Sequence, residues 1–465
     1  MSGLLAVATL LLPMLCGVLF VAYILRVNLR DLSAYEWGLA LVIGMLTGPY
    51  LLRVLDALGI PFSRPALILL GLLTLAVVGT LYCLCKKRRA VVGTTGSRNT
   101  LHRVFVLVLV TLSLSHVVFA SFEALNRPLF AWDATMNWAT KSRVWFFKGE
   151  LVPFIEKGSW LEIPNPTAFT SSNDDYPATV PLLHVWIAVA IARWSEVEIS
   201  LPWPFMMVAL VLLIYGEGRA LRGSRLEGAA FAYFVASLPM VGANVALAGL
   251  ADVFAGLLLL SVVSTLYRAV DRSDVGYFLL AGVFAISLAT TKNEGVFWVV
   301  AVAAGFVFAA LPSLRLKLGV SAVALVGAVL FAVVLSSFSV GGNSFEGLDV
   351  YFRLDGAQSL LKRTLATDSW HLAVFVWAAT VLTWACLRVS RTPINSVGFA
   401  VLTMLTFYVF LFTFTLYARG AISGAATARV LLQLAPSLTF FTILTWGEIA
   451  RRQINQAERE QPNDG

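Results

Sequence analysis

The sequence predicts an all-α polytopic membrane protein with about thirteen transmembrane helices and a long first outer loop that carries interfacial helices. Composition is the first ground: of the 465 residues, 59% are hydrophobic and only 13% are charged, and the mean hydropathy is +0.82. In soluble domains about a quarter of all residues are charged. The second ground is that basic clusters flank the apolar runs, as cytoplasmic anchors of membrane helices do.

Each predicted span is an apolar run close to the length that crosses a bilayer, about 20 residues. The spans fall at 3–25, 36–57, 65–85, 104–121, 201–217, 226–245, 250–268, 275–291, 295–311, 318–336, 371–388, 396–416 and 429–447.

The basic clusters set the predicted orientation. If Lys86–Arg103 is cytoplasmic, alternation of the spans places the later clusters inside too, provided that 181–195 does not cross completely. That stretch is short and is expected to be a half-span or an interfacial helix. The predicted regions are an N-terminal part (1–103), a core (104–450) with outer loops 122–200 and 337–370, and a polar, disordered cytoplasmic tail (451–465).

The net charge of +8 raises the question of a nucleic-acid partner. Because the basic residues lie at span ends, they are explained by topology, and no nucleic acid is predicted. The chain also contains no Gly-rich phosphate loop of the GxGxxG or GxxxxGK[ST] type, so a nucleotide is not expected as a direct ligand. The four histidines show no metal-binding spacing, and no metal is predicted from them.

Several charged residues lie at the predicted outer ends of the spans, where placing a charge near the membrane costs free energy. No comparable set is expected on the inner side. Such residues mark polar cavities or reaction centres. In the first outer loop Asp133, Asn137 and Lys141 recur at i, i+4 and i+8, which places them on one face of an α-helix. The other candidates near the outer ends of spans or in outer loops are Asp175, Tyr176, Asp252, Lys292, Glu294, Arg419 and Arg429.

Each candidate also has an ordinary structural explanation. The Asp133 ladder fits a solvated helix face, and Asp175 before Tyr176 and Pro177 fits a turn. Lys292 and Glu294 fit an ion pair at a span end, and Arg429 fits an interface anchor. The functional hypothesis depends on these residues sharing one side of the membrane.

Carboxylates and cations at this boundary suit sugar transfer from a polyprenyl-phosphate lipid. A carboxylate can take the proton of an acceptor hydroxyl, and Lys and Arg can neutralise the departing phosphate. Such a donor is already activated on a lipid, so no nucleotide site is needed. The expected phosphate ligands are Lys141, Lys292, Arg419 and Arg429.

The order of WDATMNWATK, DDYPATVPLLHVW, LAGLADVFAGLLLL, TTKNEGVFW and ARVLLQLAPS resembles the GT-C superfamily of integral-membrane glycosyltransferases, over about residues 120–440. The bacterial branch, similar to protein mannosyltransferases and lipid A aminoarabinose transferases, is the nearest. The resemblance implies that Asp133 is the acidic residue that acts in catalysis. It also implies that Asp175 and Tyr176 stand in the family's Tyr/His-Pro-Pro region and that Asp252 is the acidic residue of the second outer connection.

Two positions depart from the family pattern. Ala178 replaces the second proline, and Ala134 replaces a second acid after Asp133, which speaks against a divalent metal held by paired carboxylates. The resemblance also does not cover the first three spans.

The resulting expectation is an enzyme of the cytoplasmic membrane with its site facing the exterior. Its partners would be a polyprenyl-phosphate-sugar donor, membrane lipid and an envelope acceptor that is a glycan, a lipid or a protein. Two other classes stay open. An O-antigen ligase or polymerase would need a large outer loop late in the chain, and a transporter would show inverted repeats and broken helices near mid-membrane.

Overall fold

The computed structural model describes residues 2–86, 100–156, 158, 168–171, 173–313, 315–316, 339–340, 343–344, 351–387 and 391–460, and this part of the chain is almost entirely helical. The first four helices precede the long outer loop. They are α1 (Ser2–Leu25), α2 (Ala34–Ala57), α3 (Arg64–Leu84) and α4 (Thr100–Asn126).

The outer loop forms a π-helical segment (Ala134–Ala139), α5 (Thr140–Lys148), a parallel strand pair β1 (Phe154–Glu156) and β2 (Phe169–Ser171), and α6 (Thr179–Ile191). The core then continues with α7 (Pro202–Arg222), α8 (Arg225–Ala236), α9 (Pro239–Ala246), α10 (Asp252–Arg272), α11 (Val275–Ala289) and α12 (Asn293–Ala310).

The C-terminal part begins with a short antiparallel pair, β3 (Ser339–Val340) and β4 (Asn343–Ser344), within the predicted loop 337–370. Helices α13 (Leu354–Lys362), α14 (Ala373–Leu387), α15 (Thr392–Phe414), α16 (Ala418–Ser423) and α17 (Thr427–Glu460) follow. The tail predicted to be disordered is instead a continuation of α17 to Glu460, with Arg452 Nε donating to Glu448 Oε1 at 3.2 Å one turn earlier.

The prediction of an all-α polytopic membrane protein is confirmed. Within the described residues, eight helices are long and apolar enough to cross a membrane, or nine if α8 and α9, which meet at a 60° bend, form one span. The predicted span 318–336 lies outside the described residues, and the other twelve runs fall on helices or on this bent pair. Several of these helices are shorter than a full span, so the count of thirteen stays a prediction.

Helices α10 and α17 form the centre of the bundle. In their apolar stretches 89% and 94% of the residues are buried, against 17% in each of α3 and α4. Glycines allow close approach between helices, as is common in membrane bundles. A Cβ atom on Gly256 of α10 would lie 3.0 Å from the carbonyl oxygen of Leu432 on α17. The two central helices therefore pack backbone to backbone, and this contact lies one turn below the start of α10.

The stretch 181–195 lies mostly in α6, a helix of 13 residues. Its length is about 20 Å, which is less than the hydrocarbon thickness of about 30 Å. It is almost entirely buried, and Trp186 packs against Gly48 of α2. Helix α6 is therefore a short helix packed within the bundle, and whether it is a half-span or an interfacial helix stays a prediction.

The end of α10 opposite Asp252, which is predicted to lie inside, also has a buried ion pair. Arg268 Nε lies 2.8 Å from Glu217 Oε1, and both side chains are buried. The guanidinium also stacks on the ring of Tyr35, 3.9 Å from its centroid. This pair was not predicted from the sequence, because its members are 51 residues apart in separate apolar helices.

The arrangement predicts the sidedness of two serines. With the four native cysteines replaced, Ser423→Cys should react with a membrane-impermeant thiol reagent in intact cells, because Ser423 is the last residue of α16, on the predicted outer side. Ser224→Cys, between Arg222 and Arg225, should react only after permeabilisation, since basic loops stay inside. The reverse labelling pattern would contradict the orientation.

Candidate functional site

Asp252 is the centre of an ionic cluster that we define as Asp133, Asp252, Lys292, Glu294 and Arg429. Its carboxylate is fully buried and accepts three hydrogen bonds. The donors are Lys292 Nζ at 2.6 Å, Arg429 Nε at 2.8 Å and Gln433 Nε2 at 2.9 Å. Two cations and an amide therefore replace the water that the buried carboxylate has lost.

Three helices begin at this cluster. Asp252 is the first residue of α10, Lys292 immediately precedes α12, and Arg429 is in the first turn of α17. Helix N-termini carry partial positive charge and unpaired N–H groups, and both favour anions. The folded chain thus collects positive potential at one end of the bundle, where the three carboxylates of the cluster lie.

Asp133 joins the cluster from the outer loop. Arg429 Nη1 donates to Asp133 Oδ2, so the guanidinium bridges the carboxylates of Asp133 and Asp252. Asn137 Nδ2 donates to the other Asp133 oxygen at 3.2 Å, and Asn173 Nδ2 in turn donates to Asn137 Oδ1 at 2.9 Å. The orientation of the Asp133 carboxylate is therefore fixed from two sides.

A π-helical turn follows Asp133 directly. The amide of Thr140 bonds to the carbonyl of Thr135, an i→i+5 bond. The predicted i, i+4, i+8 face assumed a regular α-helix, and the wider turn breaks it after Asn137. The structure accordingly brings Asp133 and Asn137 together but directs Lys141 elsewhere.

Lys141 holds the loop that precedes α6. Its Nζ donates to the carbonyl oxygens of Asp174 at 2.8 Å and Tyr176 at 2.9 Å, and the residue is buried. Burial lowers the pKa of the Lys141 ammonium to about 8, against the opposing effect of Asp175 and Asp174. The ammonium is still mostly charged at pH 7. These are contacts of a residue that fixes a loop, and its role as a phosphate ligand stays a prediction.

The loop held by Lys141 reaches the cluster through Asp175 and Tyr176. Asn293 Nδ2, at the start of α12, donates to Asp175 Oδ2 at 2.6 Å. The Tyr176 ring lies over Trp138, with centroids 5.0 Å apart and planes tilted by 30°. Burial raises the pKa of the Tyr176 hydroxyl, and the charges acting on it include those of Lys292 and cluster carboxylates. Tyr176 is therefore within electrostatic range of the cluster.

Glu294 and Arg419 are placed differently. Glu294 Oε1 lies 3.2 Å from Lys292 Nζ, which adds a third carboxylate to the cluster. Electrostatic interaction with Glu294 and Lys292 also reaches Tyr417, just before α16. Arg419 is exposed on α16 and bonds to none of the cluster residues within the described chain. Like Lys141, it is a predicted phosphate ligand that lies outside the cluster.

The cluster is closed on one side and open on the other. The side chain of Asp252 is 0% exposed and that of Lys292 4%, whereas Asp133, Glu294 and Arg429 are 19%, 20% and 29% exposed. Arginine has five N–H donors, and Arg429 uses two of them in these ion pairs. The other three have no partner within the described residues, so the partly exposed guanidinium can bind an anion without releasing Asp252.

Several residues that complete the site were missed from the sequence. Gln433 lies one turn after Arg429 and is oriented by Trp298, whose Nε1 donates to Gln433 Oε1 at 2.7 Å. A glutamine inside the apolar run ARVLLQLAPS was the available signal. Asn173 and Asn293 had no such signal, because asparagines in loops are common.

Gly249 allows the loop and the core to meet beside Asp133. Its φ is +85°, and a Cβ atom there would lie 2.7 Å from the Cβ of Ala134. The turn between α9 and α10 therefore packs directly under the π-helical segment. No group of three or more His, Cys, Asp or Glu side chains in the described ranges could hold a metal ion.

The buried position of Asp252 predicts a large stability loss on neutralisation. Asp252→Asn should lower the free energy of unfolding by about 3–5 kcal/mol, because it leaves the buried Lys292 ammonium without its main partner. The matched control is Asp271→Asn, at the other end of the same helix, where the Arg391 pair is partly exposed at 25% and 33%. That variant should lose about 1 kcal/mol or less.

Thermal unfolding of both variants in detergent measures the difference. Equal losses would contradict the view that Asp252 anchors the cluster.

No protein-family model, no curated protein and no solved structure matches this chain. The ionic cluster and the resemblance of the sequence motifs are therefore the two grounds for a function.

Proposed function

We propose that the protein is a membrane glycosyltransferase that moves a sugar from a polyprenyl-phosphate-linked donor to an envelope acceptor at the outer face of the cytoplasmic membrane. The observation that carries this proposal is the half-open ionic cluster. Its buried anchor, Asp252, holds Arg429 in place, and Arg429 presents free N–H groups beside a partly exposed carboxylate, Asp133. A phosphate ligand next to a carboxylate is what such a transfer needs.

The distribution of basic residues supports the outer location. The helices that begin at the cluster lead to basic residues at their far ends: Arg268 and Arg272 on α10, and Arg451 and Arg452 on α17. Arg315 likewise follows α12. Since basic residues collect on the cytoplasmic side, the cluster end belongs on the opposite side. A lipid-linked donor displays its sugar there.

The proposed reaction is a displacement at the anomeric carbon of the sugar. The bond from that carbon to the phosphate oxygen breaks, and a bond to the acceptor hydroxyl oxygen forms. The three remaining Arg429 N–H groups bind the phosphate and stabilise the negative charge that develops on it. The acceptor proton passes to Asp133, whose carboxylate is oriented by Asn137.

The alternatives have less support. A transporter is favoured by one feature, the 60° break between α8 and α9. The described charges, however, lie at helix ends rather than at a mid-membrane break, as a transporter site would require. A ligase or polymerase would take its catalytic residues from a late outer loop, whereas the exposed carboxylate here comes from the early one.

The first test is Asp133→Asn, which keeps the shape of the side chain but removes its charge. Transfer from the lipid-linked donor should fall by about 10²–10⁴-fold, the usual effect of losing a general base. Glu123→Gln is the control. Glu123 is a partly exposed carboxylate near the C-terminal end of α4, where it pairs with Arg127. It should transfer normally. A normally expressed Asp133→Asn protein with wild-type transfer would exclude the catalytic role.

The two cluster cations should behave differently. Arg429→Gln should raise the donor KM about 10–100-fold, since a charge-assisted hydrogen bond contributes about 1.5–3 kcal/mol. Lys292→Met should mainly lower stability, because Lys292 is buried and holds Asp252. Donor titrations and thermal unfolding of both variants separate the effects. An unchanged donor KM in Arg429→Gln would reduce this arginine to a structural role.

A further inference from the structure

An apolar cavity of about 210 Å³ lies between α1, α2, α3 and α11, away from the ionic cluster. Its walls include Phe20 of α1, Leu46 and Tyr50 of α2, Val78 of α3 and Val283 of α11. Helix α3 lies at the edge of the bundle and is largely exposed. The cavity therefore lies among predicted membrane helices at the lipid-facing side of the protein.

The polar atoms in its walls are satisfied within the protein. The hydroxyls of Thr47 and Thr74 each donate to a carbonyl one turn earlier on their own helix, at 2.8 Å. The Tyr50 hydroxyl pairs with Ser287 Oγ at 2.8 Å. An apolar cavity without free polar groups does not hold water well and accepts hydrocarbon. Its occupant is therefore expected to be a hydrocarbon chain.

Arg53 lies on the same face of α2 as three residues of the cavity wall. Ile43, Leu46, Tyr50 and Arg53 follow each other at i, i+3, i+7 and i+10, so they share one face of α2. Arg53 lies about 4.5 Å beyond Tyr50 along the helix axis. Its Nη2 donates to Thr179 Oγ1 at 3.3 Å. Within the described part of the chain no carboxylate pairs with it, in contrast to Lys292 and Arg429.

The guanidinium also lies close to the ionic cluster. Thr179 Oγ1, its partner, donates to the carbonyl oxygen of Thr290 at 2.5 Å. Thr290 is two residues before Lys292, a backbone distance of at most about 7.6 Å. A phosphate on Arg53 would have hydrocarbon wall on one side and the cluster on the other.

We propose that this cavity and Arg53 form a binding site for a polyprenyl monophosphate, separate from the donor phosphate on Arg429, with the first part of the hydrocarbon chain between α1, α2, α3 and α11 and the phosphate on Arg53. Charge complementarity favours a phosphate headgroup, because Arg53 is a partly buried cation that pairs with no carboxylate among the described residues. The choice of an isoprenoid chain rests on the proposed function. The site also gives a role to the first three helices, which the sequence resemblance does not cover.

Binding of a polyprenyl monophosphate to the detergent-purified protein tests the site without any sugar transfer. Arg53→Gln should weaken binding about 10–100-fold, the effect of one lost charge-assisted hydrogen bond, and Arg53→Lys should restore most of it. Val283→Trp should weaken binding by filling the cavity. The matched controls are Arg127→Gln, an exposed arginine at the end of α4, and Val300→Trp, an exposed valine on α12. Both should bind as wild type.

Three outcomes overturn the proposal. They are wild-type binding by both Arg53→Gln and Val283→Trp, an equal effect of Arg53→Gln on the uncharged polyprenol, and equally tight binding of phosphatidylglycerol, which would make the occupant an ordinary bilayer lipid. Sugar transfer is measured separately. If binding depends on Arg53 but no transfer occurs, the lipid site stands and the enzyme proposal fails. If transfer depends on Asp133 but polyprenyl monophosphate binds equally well to Arg53→Gln and Val283→Trp, the enzyme proposal stands and the lipid site fails.

Discussion

The neutralisation of one buried carboxylate, Asp252, organises one end of this helical bundle. A charge without water or a partner costs several kcal/mol in such a place, so the fold must bring cations to it. Lys292 and Arg429 come from the starts of two other helices. Once they bind, α10, α12 and α17 are held together at one end, and every other cluster residue takes its position from them.

Arg429 carries this constraint from the core to the surface. Its Nε is committed to the buried Asp252, while Nη1 reaches Asp133 in the outer loop. A planar guanidinium can do this because its donors point in fixed, different directions, which the single ammonium of a lysine cannot match. The loop is further fixed by Lys141 and by the contact of Tyr176 with Trp138. The exposed part of the site therefore stands on a rigid support, as binding and catalytic groups require.

The opposite end of the bundle is held by a similar device. Glu217 and Arg268 form a buried ion pair covered by Tyr35. Helix α10 thus has one buried ion-paired residue near each end, and between them Gly256 allows close backbone contact with α17. Hydrophobic burial gives little preference for one helix arrangement inside a membrane, so polar pairs and small residues determine which helices meet.

Lys141 and Arg53 show where reasoning from the sequence reached its limit. Lys141 was expected at the cluster because of α-helical spacing, but a π-helical turn directs it to two loop carbonyls. A π turn has no reliable sequence signal, since it depends on how neighbouring segments pack. Arg53 was not among the candidates from the sequence. Its proposed role depends on the cavity along the same face of α2, which four separate helices create.

The sequence by itself determined the helical membrane class, most helix positions and the side of the membrane on which the functional charges are expected. These properties depend on local composition: the length of apolar runs and the placement of basic residues beside them. Only the tertiary structure decided which charges pair. Asp133 and Arg429 are 296 residues apart, and Asp252 is 177 residues from Arg429. Such pairing depends on the rotation and depth of each helix in the bundle, which are set by packing against its neighbours.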